Sequence, residues 1–387
     1  MIKKPVIKFI AYILLSLGVS MLLTSLWSLF YNEPDFYAFI ESAAITIITS
    51  LILILFSRGS SKDELNLRDG FYVVTIAWFL MGIFSSLPYY QSGYFLSFAD
   101  SFFESMSGLT TTGASILSNP ESLPHAILFW RSFTQFIGGM GIILFTIAIL
   151  PILGVGGVQL FRAEVPGPTA DKLTPRVRET AKYLWYIYIG LIFFETLILY
   201  LEGIFLGIEN MTFFNAICHS LTTMSTGGFS TFNTSIAGFD SMLVSWTIII
   251  FMVLAATNFS LHFLLISKKS FEYFKDSEYK FYLSAIILFT IITFINLSTF
   301  SKNFDGSDSP FTASIFNTVS IMTTTGFTLF DYETWPSTSQ SIIFFLFFLG
   351  GMSGSTSGGI KIIRTILVFK YIKGEVSRML HPRGLHN

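Results

Sequence analysis

The sequence predicts an all-α integral membrane protein built from tandem repeats, and three observations carry that prediction. Hydrophobic residues make up 52% of the 387 positions and charged residues only 12%, too little polar surface for a water-soluble domain of this size. The apolar residues are gathered into blocks close to the roughly 20 positions that take a helix across about 30 Å of hydrocarbon. Between the later blocks a short segment ending in threonine and glycine occurs three times.

Taken in order, blocks 11–30 and 38–56 form a bare hairpin. Lys3 and Lys4 ahead of it invite comparison with a signal peptide, but no small-residue cleavage pattern follows and a second apolar block comes at once, so the segment reads as a first anchor. The next unit leaves through 71–90 and returns through 128–150, the third uses 183–206 and 242–266, and the fourth uses 281–297 and 341–371. The chain therefore divides into an N-terminal transmembrane hairpin (1–68), a first repeat (69–162), a cytoplasmic connector with a second repeat (163–280) and a third repeat (281–387).

Every Lys and Arg except Arg131 and Lys302 falls into one of five clusters, at 3–8, 58–68, 162–182, 268–280 and 361–383. The connectors between them carry acidic residues instead, among them Glu33, Asp35, Asp100, Glu104, Glu209, Asp308 and Asp331. Placing all five clusters in the cytoplasm satisfies the positive-inside tendency and puts the N-terminus inside. The basic stretch 162–182 holds Pro166, Pro168 and Pro175 and reads as a looped connector followed by a short helix, its charge solvated or set against lipid phosphate. A net charge of −1 by itself says nothing about nucleic acid, and no nucleic-acid partner is expected. Cys218 is the only cysteine, which excludes an intrachain disulfide, and the five histidines show no metal-binding spacing. No nucleophile, base and orienting group cluster together, so an enzyme is not expected; Cys218 and His219 read as packing residues.

The three short segments end at Gly113, Gly228 and Gly326, and counting back aligns Thr112, Gly227 and Thr325, then Thr111, Thr226 and Thr324. As helices they reach roughly 16 to 23 Å, enough to enter a membrane and turn back but not to cross it. Irregular backbone at that depth is tolerated only where it is buried in protein or lines a watery cavity, so three such loops predict a shared aqueous path. Carbonyls of Thr111, Thr112, Gly113, Thr226, Gly227, Gly228, Thr324, Thr325 and Gly326 are the candidate ring that replaces the water shell of a cation. The negative ends of the short helices favour the same charge. Asp100 and Glu104 are expected near the outer mouth, where they would concentrate cations, or else Glu104 lies on a helix surface paired with Arg131. The stretch 350–359 breaks the last apolar helix with Gly350, Gly351, Gly354, Gly358 and Gly359 around Ser355 and Thr356. It reads as a break at membrane depth beneath the ring, serving as a movable constriction or as a kink that eases helix packing.

These pieces, together with His125-Ala-Ile-Leu-Phe-Trp-Arg131, Gly138-Gly-Met-Gly-Ile142, Ile149-Leu-Pro-Ile-Leu-Gly-Val-Gly-Gly157 and Gly354-Ser-Thr-Ser-Gly-Gly359, resemble the Trk/Ktr/HKT superfamily of potassium transporters, in its bacterial Trk membrane-subunit branch. The resemblance spans essentially the whole chain. It implies helix, pore-loop, helix repeats around a pseudo-fourfold ion path, an extra N-terminal hairpin, and a multi-pass location in the bacterial inner membrane. It also implies a homodimer and a cytoplasmic RCK-type nucleotide-binding regulatory partner, with potassium as substrate and no cofactor. Gly113, Gly228 and Gly326 map onto the selectivity-filter glycines, and a glycine at the first of them favours potassium over the sodium-selective branch, which has serine there. The segment 350–359 maps onto the gating loop. Beyond Lys370 only 371–387 remain, too few for two spans and a pore loop, so a fourth repeat is expected to be missing from this sequence. The alternative reading is a non-conducting membrane subunit, or a fragment that requires another chain.

Overall fold

The computed structural model describes residues 3–58, 67–149, 177–268, 272–300 and 309–380, and these fold almost entirely as helices. Helices α1 (Lys4–Tyr31) and α2 (Phe36–Phe56) form the expected hairpin. α1 opens with a proline in its first turn and stops at Asn32, whose left-handed backbone returns its N–H to the carbonyl of Leu29. Small and polar residues let the two helices approach closely: Ser50 donates to the Ala11 carbonyl at 2.7 Å, and Gly18 lies against Ala43. Leu14, Leu17 and Met21 of α1 and Phe39 of α2 then form one core with Trp130.

α3 (Leu67–Ser85) and α4 (Leu87–Ser92) lead outward to a short helix, α5 (Phe98–Leu109), and α6 (His125–Ile149) returns. The same order recurs in α7 (Val177–Leu206), short α8 (Phe213–Met224) and the pair α9 (Met242–Ala255) and α10 (Phe259–Lys268). It recurs again in α11 (Ser277–Phe300), short α12 (Pro310–Met322), α13 (Ser337–Leu346) and α14 (Ile362–Leu380). Among the described residues five helices are long and apolar enough to cross a membrane, or six if α9 and α10 count as one bent span. The surface is inverted relative to a water-soluble protein. Leu23, Phe30, Phe193, Phe194 and Phe205 are exposed, whereas Thr222, Thr223, Ser314 and Ser320 of the short helices are buried.

The stretch 242–266, expected as one continuous span, instead bends by 93° between α9 and α10. Thr257 donates to the Val253 carbonyl at 2.8 Å, and the Asn258 side chain accepts the Ser260 N–H at 2.9 Å, starting a new helix. The bend frees the Ala256 carbonyl, which accepts the Met352 N–H at 2.9 Å from the glycine-rich break between α13 and α14. The two interruptions thus supply each other's missing hydrogen bonds. The basic connector falls mostly outside the described residues; from Val177 onward the chain is already in the 30-residue α7 rather than in a short helix.

Candidate functional site

The three short helices are built alike at both ends. Ser97, Thr212 and Ser309 cap their N-termini, each side chain accepting the N–H three residues on, from Asp100, Asn215 and Thr312. At the C-termini the N–H of Thr111 bonds the Gly108 carbonyl and that of Thr112 bonds Ser107, both at 2.9 Å. Thr226 and Gly227 repeat this on Thr223 and Thr222 at 2.9 Å, and Thr324 and Thr325 on Ile321 and Ser320 at 2.9 and 3.0 Å. This is the Schellman closure, which ordinarily places glycine in the left-handed position. Here the position holds threonine each time, with φ of 52° at Thr111, 53° at Thr226 and 60° at Thr324. A β-branched residue there costs on the order of 1–3 kcal/mol and persists only where its surroundings over-determine it. Two residues on, Gly113, Gly228 and Gly326 also take positive φ, at 74°, 76° and 81°. The sequence repeat is therefore a repeat of backbone shape.

The turns stand beside one another in chain order. A Cβ on Gly113 would overlap the carbonyl oxygen of Gly227, and a Cβ on Gly228 would overlap that of Thr325, while among the described residues none lies within 4 Å of the same direction at Gly326. Glycine at the first two positions is thus required by contact with the neighbouring backbone as well as by its own torsion.

A second repeat, not used in the sequence reading, holds the descending strands. Glu104, His219 and Asn317 each sit nine residues before the turn glycine, all buried. Glu104 accepts from the Ser115 hydroxyl at 2.9 Å and the Ile116 N–H at 3.2 Å. His219 pairs with the Ser230 hydroxyl at 2.9 Å, and Asn317 reaches the Phe330 carbonyl at 3.5 Å. Six residues before the glycine, Ser107 and Ser320 donate to the carbonyls of Ala114 and Phe327 at 2.5 and 2.6 Å.

The middle turn has an additional support. α6 passes behind it and presents Arg131 and Gln135 on one face. The Gln135 amide donates to the Gly227 carbonyl at 2.8 Å and accepts the Phe229 N–H at 3.1 Å, gripping the chain on both sides of Gly228. Its amide fills the place where a side chain at 227 would lie, which accounts for Gly227 where the other turns have threonine. In those turns the corresponding threonines pair with a hydroxyl two residues earlier, Thr110 with Thr112 at 2.7 Å and Thr323 with Thr325 at 2.8 Å. Arg131 donates to Glu104 at 2.8 Å and to the Ser230 carbonyl at 3.0 Å, with its guanidinium 4.3 Å from the Phe229 ring centroid.

Glu104 is therefore not a mouth residue. It is fully buried, and its charge is spent on Arg131 and the backbone behind the first two turns. Asp100 binds the Ser97 hydroxyl at 2.8 Å and closes the first turn of α5. An alignment carried back nine residues from each glycine would have shown the buried polar position; nothing in the sequence distinguishes Gln135 from an ordinary glutamine.

The break between α13 and α14 lies against the undersides of these turns. The Thr356 hydroxyl donates to the Met224 carbonyl at 3.0 Å, at the end of α8, and the Gly358 N–H donates to the Thr324 hydroxyl at 2.6 Å. Its two arms are tied by a parallel bridge between Leu349 and Ile360, with the Gly350 N–H on the Ile360 carbonyl at 2.9 Å. Gly350, Gly351, Gly354, Ser355, Thr356, Gly358 and Gly359 thus form one loop in contact with the second and third turns. Among the described residues no group of three or more His, Cys, Asp or Glu could hold a metal ion.

A family model described as "TrkH: Cation transport protein" matches residues 36–387. The chain is similar to the Trk system potassium uptake protein TrkH of Vibrio parahaemolyticus, 37% identical over 398 aligned positions that cover 99% of this chain and 78% of that protein. The TrkH protein of Halomonas elongata is 39% identical with the same coverage, and TrkG of Escherichia coli K12 is 36% identical over 95% of this chain and 74% of its own length. The fold is similar to the crystal structure of the potassium transporter TrkH from Vibrio parahaemolyticus, with a TM-score of 0.84 and 34% identity over 99% of this chain and 78% of that one.

Proposed function

The chain belongs to the TrkH family of cation transport proteins, and on that premise we propose that it carries potassium across the bacterial inner membrane through the path bounded by its three strained turns. It is a multi-pass membrane transporter and not an enzyme. The observation that carries the proposal is the left-handed threonine followed two residues later by a left-handed glycine, found in three adjacent turns at the C-terminal ends of short helices.

Removing the water shell of a cation requires oxygen ligands already in place, since a ligand that must reorganise loses the energy it gains. The Schellman bonds use the helix carbonyls of Ser107, Gly108, Thr222, Thr223, Ser320 and Ile321. The main-chain carbonyls of Thr111, Thr112, Gly113, Thr226, Gly227, Gly228, Thr324, Thr325 and Gly326 lie beyond the helix ladder and form the selectivity filter. The Gly227 carbonyl already accepts from Gln135, but a carbonyl has a second lone pair for an ion. The negative ends of α5, α8 and α12 add to the attraction.

The loop at 350–359 is the gate, because it lies against the second and third turns and interrupts the helix on its cytoplasmic side. Residues 1–68, 69–162, 163–280 and 281–387 act as hairpin and successive repeats, with the N-terminus in the cytoplasm. The working assembly is a homodimer, and an RCK-type nucleotide-binding subunit on the cytoplasmic side drives the loop.

The test is rubidium uptake by liposomes that contain the purified full chain. Uptake resisting excess sodium, with that resistance lost in Gly113→Ser, supports the filter. Identical competition by sodium before and after the substitution would refute it.

A further inference from the structure

The gate loop has one apolar anchor, Met352 near its start, which is fully buried in the core. From Ser353 to Gly359 it carries only serine, threonine and glycine, so hydrogen bonds hold that stretch in its seat. Two of those bonds end on a single atom. One Oε of Glu278, in the first turn of α11, accepts the Ser353 N–H at 2.7 Å and the Ile363 N–H at 3.1 Å. These donors stand at either end of the span that contacts the turns, and Glu278 is itself buried. Asp276 fixes the start of that helix by accepting the Tyr279 N–H at 2.7 Å, which sets the height of the carboxylate. On the other side of the loop, the Lys361 ammonium donates to the carbonyl of Ser357, closing the second arm.

We propose that Glu278 is the positioning residue of the gate, a staple whose carboxylate draws both ends of the intramembrane loop together and keeps it seated beneath the filter. The inference rests on the reading of 350–359 as the gate. A bond from N–H to a charged acceptor is roughly twice as strong as a neutral one, and removing the acceptor leaves two buried donors unpaired. Loss of the side chain therefore favours the unseated loop. Glutamine keeps an oxygen of the same reach, whereas aspartate withdraws it by one methylene.

The test uses the full chain in liposomes with Ser355→Cys as a reporter, which the native Cys218 does not confuse because it is buried. Two rates are read: modification of that cysteine by a membrane-impermeant thiol reagent, and rubidium uptake. Glu278→Ala is expected to raise both by about tenfold, the loss of two such bonds allowing for partial replacement by water. Glu278→Gln, which keeps the acceptor but not its charge, is expected to fall between the parent and Glu278→Ala in both. Glu278→Asp should behave as alanine and serves if the alanine variant does not assemble. Parent-like labelling in both Ala and Asp, or a Gln variant indistinguishable from Ala, overturns the staple. Faster labelling with unchanged uptake upholds the staple and instead removes the gating role of the loop.

Discussion

The second and third turns share a backbone but not a support. Around Gly228 the chain is held from behind by Gln135 on both sides, by Arg131 on the Ser230 carbonyl and by His219 on the Ser230 hydroxyl. Around Gly326 the turn is latched by its own helix through Ser320 and tied below through Thr324 to the loop at 350–359. One set of torsions thus serves as a fixed wall in one place and as a coupling element in the other. The difference lies in which neighbours consume the polar groups, not in the turn itself.

The largest expected effect tests the wall. Arg131→Met leaves Glu104 buried without its partner and removes an anchor of the second turn, at a cost of about 3–5 kcal/mol. Thermal unfolding in detergent should register it as a large drop in midpoint; a small drop would mean that the ion pair contributes little to the wall. Next come paired glycine substitutions. Alanine in a left-handed conformation costs roughly 1–2 kcal/mol at either site, but among the described residues only at Gly228 does the new Cβ also meet a neighbouring carbonyl. Sodium should therefore compete much better with rubidium in Gly228→Ala than in Gly326→Ala, and equal loss would erase the contrast between the turns.

A smaller effect is expected from Gln135→Leu, which deprives the Gly227 carbonyl and the Phe229 N–H of their partner at about 1–3 kcal/mol. Its signature is weakened ion preference with uptake retained, read from the same competition experiment. The smallest is Thr324→Val, worth about 1 kcal/mol through one hydrogen bond to Gly358. It should raise basal uptake while leaving preference intact. Thr226→Val, whose hydroxyl among the described residues bonds only the adjacent Ser225 carbonyl, should do neither.

The spans and the turn positions were legible because they depend on local facts, namely the length of apolar blocks and the recurrence of threonine and glycine at one register. The broken helix at 256–258 was not. Ala256-Thr257-Asn258 contains no glycine or proline, and the bend is completed by the Met352 N–H, which is remote in sequence. The glycine-rich interruption at 350–359 announced itself for the opposite reason, since it carries its flexibility in its own composition. Glu104 shows a third case: its alternative pairing with Arg131 was readable, but choosing it over a place at the mouth needed the knowledge that α6 lies behind the first two turns.

Thr324 has one further consequence. On the proposed function its left-handed backbone belongs to the strand that selects, and its hydroxyl, which accepts the Gly358 N–H, belongs to the contact that closes. A mutation that distorts the backbone at this residue is expected to change ion choice and resting leak together, whereas one that removes only the hydroxyl changes the leak alone. Natural variation at this position is therefore expected to be narrower than at Thr226, where no such double duty exists.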